Sequence, residues 1–378
     1  MQWVRKAGQL SAACLPMDAD WARVVAMTPR HSFIPRWWEG SPGSWQLHDG
    51  SSDPEQWMEA AYRPETLVTR VGTLHADHAT DETAFGEPTS AATDPRLIVT
   101  MLRHGMVWPG LTALCVAGSG YTAALLSRRL GDTSITAIDI DAYLVHSAAE
   151  RLDSVGLHPA TAVCDITGEL PGQFDRIIST VSVRPVPHSW LTALNPGGRL
   201  VTSIAGTGLL MTADKTQDGG AAGKIVDGIA AVFMGVRHSD GYHEAATDDL
   251  FERVRDQDGA EVTMSRFPVL AETFSWDWDV MSMLELTCPG IEYQFASAAD
   301  GLRTAWMLHQ DGSWARMSGP PGTPAEVHQD GPRRLWNELE AILVRRELDS
   351  GLPAHGADVI ITPDGETTLS SGSWSVTL

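Results

Sequence analysis

Three short stretches place chemistry-bearing residues where an α/β sheet would use them. The first is Ala117-Gly118-Ser119-Gly120-Tyr121, a glycine turn that follows the apolar run 111–116. Glycines between a strand and a helix let a ligand approach the backbone, and the helix start offers unpaired N–H groups. The second is Asp139, 19 residues beyond Gly120 at the end of the next apolar run. A carboxylate there can accept both ribose hydroxyls of an adenosine cofactor. The third is Asp165, which closes a third run, while Thr180 closes a fourth. A glycine turn by itself often serves only to pack a strand against a helix. Two acids at the same sheet edge add a ligand. Spacing leaves that ligand open: Ala123 completes a G-x-G-x-x-A pattern, so a nicotinamide dinucleotide and S-adenosylmethionine both fit.

These residues need a parallel sheet to bring them together, and the pattern supplies one. Segments 111–116, 134–139, 160–165, 175–180 and 198–204 read as strands. Segments 122–130, 142–155 and 188–194 read as helices between them. Strands alternating with helices give a parallel sheet with helices on both faces. Upstream, residues 1–60 are rich in Trp and Pro and read as irregular, with one short helix. Residues 80–95 read as a polar loop, and Pro95 opens an apolar helix over 97–102. Beyond about residue 206 the pattern becomes mixed and largely antiparallel. Asp311-Gly312 and Asp364-Gly365 mark hairpins. Segments 213–224 and 317–332 read as loops. A helix is expected over 332–348, with Leu335, Leu339, Ile342 and Leu343 on one face. Trp276 and Trp278 read as alternate residues of a strand, forming core with Trp306 and Trp314. The expected organisation is a domain at 1–206 and an α+β region at 207–378.

Composition narrows the partners. The chain has 378 residues, 43% apolar and 20% charged, as in ordinary globular proteins. Its formal net charge is −21, which repels nucleic acid and anionic lipid. The basic pairs Arg333-Arg334 and Arg345-Arg346 read as a solvated helix face. No apolar run reaches the ~18 residues a membrane helix needs. Residues 1–21 loosely mimic an export signal, but Gly8, Gln9 and Ser11 break the apolar stretch. Cys14, Cys115, Cys164 and Cys288 form no C-x-x-C pair, so reduced thiols and a cytoplasmic location are expected. His75-Ala-Asp-His78 reads as a polar loop rather than a metal site, and His188 as a helix-start residue.

From residue 27 to about 206 the chain resembles the protein-L-isoaspartate O-methyltransferase family, class I (Rossmann-like) S-adenosylmethionine enzymes. The segments that carry the resemblance are PRHSFIP (29–35), TSAATDPRLIVTML (89–102), GSGYTAALLSRRLGDTSITAIDID (118–141) and FDRIISTVSVRPVPHSWLTALNPGGRLV (174–201). YTAALLSRRLGD, DRIISTVSVRPVPHSWL and a tail with HQDGSWARM and DGPRRLWNELE are similar to a narrower group. That group is encoded with the ATP-grasp ligases that make crosslinked ribosomal peptides, the graspetides. Departures stand out at three motifs: at the first strand Leu114 replaces the family's acid and Val116 its first glycine, and Thr93-Asp94-Pro95 replaces its Ser-Gln-Pro. Cys164-Asp165-Ile166 stands for its Gly-Asp-Gly.

The resemblance implies a cofactor site at Ala117, Gly118, Ser119, Gly120, Asp139, Ile140, Asp165, Ile166 and Thr180. It implies an acceptor site at Thr93, Asp94, Pro95 and Ser182, with Thr93 orienting the acceptor carboxylate. Thr93 fits equally as a plain helix cap before Pro95. Asp94 would repel an anionic substrate unless it points away. The implied reaction is methylation of an aspartate carboxylate in a precursor peptide already crosslinked by an ATP-grasp ligase. The ester then closes to a succinimide as the next backbone nitrogen expels methanol. Repair of isoaspartyl residues is the second reading. A third is a degenerate fold that binds peptide without catalysis, for which Leu114 and Val116 speak. A dehydrogenase is the remotest, since no hydride-transfer site accompanies the turn. The tail is expected to bind the peptide through exposed strand edges.

Overall fold

A computed structural model of the chain describes residues 2–14, 18–41, 43–236, 247–270, 277–349 and 351–378. Its first part is a cap. Helices α1 (Gln2–Cys14) and α2 (Ala19–Ala26) lead through a 3-10 turn, Arg30–Phe33, into strands β1 (Arg36–Ser41) and β2 (Ser44–Asp49). Helix α3 (Pro54–Tyr62), strands β3 (Leu67–Val71), β4 (Leu74–His75), β5 (Thr83–Ala84) and β6 (Pro88–Ala92), and helix α4 (Pro95–His104) follow. The strands form an antiparallel sheet ordered β4-β3-β1-β2-β5, with β6 also paired to β3. The expected irregular segment and polar loop are therefore replaced by strands. Adjacent Trp37 and Trp38 explain why. Successive strand residues face opposite ways, so Trp38 closes a small core with Trp45 and Val71 while Trp37 enters the main core. With both faces covered, the alternation of apolar and polar residues that marks a strand is lost. The stretch that mimicked an export signal is α1, whose Ala7 and Leu10 are core residues.

The next elements follow the sequence reading. Strand β7 (Ala113–Val116), helix α5 (Tyr121–Leu130), β8 (Ile135–Asp139), α6 (Ala142–Ser154), β9 (Ala160–Val163), β10 (Phe174–Ile178), α7 (His188–Ala193) and β11 (Leu194–Ser203) alternate. The five strands are parallel and ordered β9-β8-β7-β10-β11. From β7 the chain moves to one side for β8 and β9, then returns on the other side for β10. The carboxyl ends of β7 and β10 thus flank the switch point where ligands of open α/β sheets bind.

The tail does not form a separate unit. Strands β12 (Leu209–Lys215) and β13 (Ala221–Ala230) extend the same sheet antiparallel, replacing the loop expected at 213–224. Helix α8 (Asp248–Val254), β14 (Glu261–Pro268), α9 (Trp278–Thr287), β15 (Glu292–Ser297), β16 (Arg303–Leu308), β17 (Trp314–Gly319), β18 (Pro324–Asp330) and α10 (Leu335–Asp349) come next. Strands β19 (Asp358–Ile361), β20 (Thr367–Ser371) and β21 (Trp374–Thr377) then return to the main sheet beside β13. The result is a ten-stranded sheet and a second, five-stranded antiparallel sheet ordered β14-β18-β17-β16-β15. The Asp-Gly turns join β16 to β17 and β19 to β20, with Gly312 and Gly365 at φ 88° and 96°. Trp278 opens a helix rather than a strand, and Trp276 lies outside the described residues. The arginine pairs are half-buried and ion-paired, Arg333 with Asp311 and Arg334 with Glu261 ahead of α10, Arg345 with Asp349 and Arg346 with Asp277 on it.

Alternate residues of β7 show what the tail does. Ala113 and Cys115 enter a core shared with α1 to α6. Leu114 and Val116 enter another, shared with Met283, Leu284, Trp336 and Leu339 of the tail. A boundary at residue 206 therefore cuts through one sheet and strips the cover from one of its faces. A fragment of residues 1–206 is expected to show no cooperative thermal unfolding by circular dichroism. A sharp transition near that of the full chain would contradict the shared core.

Candidate functional site

A cleft opens at the carboxyl ends of β7, β8, β9 and β10. It holds about 1040 Å³ of space outside protein atoms, part of it open solvent. Gly118, Asp139, Ile140, Asp165, Ile166, Thr180 and Thr93 line it, so the structure brings these sequence-selected residues together. A small annex adds Ala117 and Ser119.

The glycine turn is shaped by two left-handed residues, Gly118 at φ 47° and Gly120 at φ 93°. A Cβ on Gly120 would meet the Phe33 ring at 3.2 Å and Ala148 at 3.4 Å, so its absence lets α5 start against the cap and α6. A Cβ on Gly118 would meet nothing within 4 Å. The Gly118 N–H donates to Asp139 Oδ2 at 3.1 Å, and the Asp141 N–H donates to Asp139 Oδ1 at 3.1 Å. The carboxylate at the end of β8 is thereby held in the plane of the turn. Asp165 Oδ1 accepts from the Thr167 N–H and hydroxyl at 2.8 and 2.7 Å. Ser119 Oγ accepts from the Tyr121 N–H at 3.4 Å, at the start of α5.

The opposite wall is fixed by Arg30. This wholly buried guanidinium donates to the carbonyls of Ala61, Arg63, Glu65, Ala92 and Thr93 at 2.7–3.3 Å. Burial pulls its pKa down to about 10, so it stays charged at neutral pH. Its plane lies 5.9 Å from the Tyr121 ring centroid, which links the cap to the glycine turn. Thr93 thus presents its side to the cleft while its carbonyl is held from behind. The cap of α4 is Asp94, whose Oδ1 accepts from the Arg96 N–H at 2.8 Å. Thr93 is therefore not the helix cap. The Arg96 guanidinium folds back onto Asp94 at 2.7 Å, which neutralises the carboxylate. Asp94 and the buried Pro95 do not line the cleft.

Ser182 does not line it either. This buried residue holds a strap, residues 232–236, that lines the cleft. Its Oγ donates to the Phe233 carbonyl at 3.1 Å, its N–H to the Met234 carbonyl at 2.9 Å, and its carbonyl accepts from the Val236 N–H at 3.0 Å. Val232, Phe233, Met234 and Val236 bring apolar surface to the cleft. Nothing in the sequence pattern singled them out, because a short apolar run after a strand carries no chemical signature. The polar residues Thr66, Thr89 and Ser90 of the cap wall were missed because scattered hydroxyl side chains form no motif. Of the family departures, Leu114 is buried in the sheet core, and Val116 lies in the cleft wall. Among the described residues no cluster of His, Cys, Asp and Glu suits a metal. His75 instead bonds Asp141, and His78 packs against Tyr143 with the rings tilted by 56°. His188 starts α7 as expected. The four cysteines are free, and no described helix is long and apolar enough to cross a membrane.

Residues 81–239 match the family model described as protein-L-isoaspartate(D-aspartate) O-methyltransferase, which is less than half of the chain. A protein-L-isoaspartate O-methyltransferase of Thermotoga maritima is 28% identical over 124 residues, 32% of this chain and 39% of that protein. One from a Bradyrhizobium species is 33% identical over 107 residues, 27% of this chain and 49% of that protein. Protein-L-isoaspartate O-methyltransferase 2 of Rhodopseudomonas palustris is 29% identical over 168 residues, 42% of this chain and 75% of that protein. The chain thus spans less than half the length of the first two. A solved protein-L-isoaspartate O-methyltransferase covers 99% of both chains at 16% identity and TM-score 0.49. A putative enzyme of the same name from Plasmodium falciparum, in complex with S-adenosyl-L-homocysteine, covers 62% of this chain at 14% identity and TM-score 0.45. The fold is the class I methyltransferase sheet that the sequence led us to expect.

Two outcomes follow from the site. Arg30→Ala leaves buried carbonyls without their donor and is expected to cost ~3–5 kcal/mol of stability in urea unfolding. A change below ~1 kcal/mol would show that Arg30 is not the anchor. Burial also holds His31, His75 and His104 below the usual imidazole range. The unfolded chain then binds more protons below about pH 6.5, so stability is full above that value and is lost as pH falls towards the folded values. Glu285, raised by burial, works the other way. With three groups against one, thermal midpoints are expected to be lower at pH 5.5 than at pH 7.5. A flat profile would contradict this.

Proposed function

We propose that this protein transfers a methyl group from S-adenosylmethionine to the side-chain carboxylate of an aspartyl residue in a peptide. The observation that carries the reading is Asp139, held by Gly118 and Asp141 at the switch point, with Asp165 beside it and Thr93 across the cleft. The residues fit the adenosine half of the cofactor. Asp139 would take the ribose hydroxyls, Asp165 and Ile166 would flank the base, and Gly118 leaves the backbone open to close approach. Val116 narrows the wall beside the turn without filling the cleft.

When bound, the cofactor supplies an electrophilic methyl on a sulfonium. The acceptor carboxylate has a reference pKa of ~3.9 and is ionised at neutral pH, so no general base is needed. This fits a cleft without a Ser-His-Asp set. The chain's own contribution is position and dryness. Thr93 would orient the acceptor oxygen. Leu97, Val116, Phe233 and Met234 would keep water from the reacting atoms. Arg96 removes the repulsion that Asp94 would otherwise exert on an anionic substrate.

Within this reading, the acceptor we favour is a normal aspartate in a ribosomal peptide already crosslinked by an ATP-grasp ligase. The resemblance at 121–132 and 175–191 supports it. The ester would then close to a succinimide with loss of methanol. Isoaspartyl repair is the second reading, supported by the names of the relatives. The long tail does not exclude it, because the Thermotoga maritima protein also extends well beyond its matched 124 residues.

Intact-mass analysis tests these together. Linear precursor, crosslinked precursor and an isoaspartyl peptide are incubated separately with S-adenosylmethionine. One added methyl on the crosslinked peptide, then a net loss of one water, is the expected result. Methyl only on the isoaspartyl peptide would establish repair. No transfer, with no binding of S-adenosylhomocysteine, would leave a non-catalytic peptide binder. In the same protein, Asp139→Ala is expected to weaken S-adenosylhomocysteine binding about 10- to 100-fold by calorimetry, ~1.4–2.7 kcal/mol. An unchanged affinity would remove Asp139 from the site.

A further inference from the structure

The β3–β4 hairpin turns at Gly72, φ 53°, and pairs Arg70 with His75 across its two strands. Both side chains are buried, at 6% and 8% exposure. Both reach one atom: Arg70 Nη1 donates to Asp141 Oδ2 at 3.2 Å, and His75 Nε2 lies 3.0 Å from the same oxygen. The other oxygen, Asp141 Oδ1, caps α6 by accepting from Tyr143 N–H at 2.9 Å and Leu144 N–H at 3.4 Å. A helix cap needs one oxygen. Two buried donors on the second oxygen exceed what the helix requires.

The cap does not depend on this contact for its seat on α6. Asp77 of the cap accepts from the Tyr143 hydroxyl at 2.6 Å and pairs with Arg151. What the Arg70–His75 clamp adds is orientation. Asp141 is fixed at its side chain, and its main-chain N–H then fixes Asp139 Oδ1 at 3.1 Å. Asp139 Oδ2 is fixed in turn by Gly118. Hydrogen bonds thus run unbroken from the cap hairpin to the glycine turn, through two carboxylates.

We infer that Arg70 and His75 are positioning residues for the ribose of the cofactor, acting on Asp139 through Asp141. The inference rests on the reading of Asp139 as the acceptor of the ribose hydroxyls. By linkage, a cofactor that favours this arrangement of Asp139 also tightens the hairpin on Asp141.

The test compares S-adenosylhomocysteine with its 2′-deoxy analogue by calorimetry, on wild type, His75→Ala and His75→Gln, with thermal midpoints measured alongside. Wild type is expected to prefer the hydroxylated ligand about 10- to 50-fold. His75→Ala is expected to lose about 10-fold in affinity for S-adenosylhomocysteine, with the preference falling below about threefold. Gln carries an amide nitrogen near the place of imidazole Nε2, so His75→Gln is expected to restore both. A His75→Ala protein that keeps the full preference, whether or not overall affinity falls, overturns the inference while leaving the cofactor reading intact. So does a failure of Gln to restore it. A wild type that binds neither ligand overturns the cofactor reading and this inference with it. Should His75→Ala not fold, Asp141→Asn keeps an oxygen for the helix cap and reads out the same loss of preference.

Discussion

Arg30 is wholly buried, its charge spread over five main-chain oxygens from two stretches of the cap, 61–65 and 92–93. A buried cation is tolerated only where its donors are used. Each carbonyl must therefore stand where the guanidinium can reach it. Those carbonyls belong to the end of α3, the approach to β3, and the Ala92-Thr93 pair that borders the cleft. The same side chain lies over Tyr121, and its neighbour Phe33 fills the space left by Gly120. The distance between the cap wall and the glycine turn is thus set by one side chain. The width of the cleft follows from it.

The other constraint is the thickness of the main sheet. Its parallel strands are covered on both faces, and β7 divides its four residues evenly between two cores. One cover comes from α1 to α6. The other comes from α7 together with α9 and α10, about 100 residues or more downstream. The strap at 232–236 leaves β13 just where the chain passes from sheet to cover, and Ser182 ties it back beside β10. The tail therefore contributes to the cleft twice, once by supporting the strands beneath it and once by lining it.

The parallel half was legible because each of its strands and helices keeps its own periodicity and its own punctuation by glycine or acid. Gly118, Asp139, Asp165 and Thr180 could be placed at one edge on that basis. The cap sheet was not legible, since Trp37 and Trp38 are both inside and leave no alternating pattern. The resemblance implied an acceptor role for Ser182, and the structure shows its hydroxyl and backbone bonded to the strap. Asp94 shows a different failure. Its neighbour Arg96 is only two residues away, but whether a side chain folds back on a cap is a matter of rotamer, which sequence does not display. The boundary at residue 206 was misplaced because a change from parallel to antiparallel pairing alters the sequence pattern without interrupting the sheet.

The bond between Asp139 and the glycine turn is made to a main-chain N–H, not to a side chain. The turn can therefore drift in sequence without losing its grip on β8, provided the backbone keeps its shape. Leu114 lies in the core and Val116 in the cleft wall, while Gly118 and Gly120 give the turn its left-handed shape. The positions least free to vary are then those that bend the chain and the acid that reads the bend.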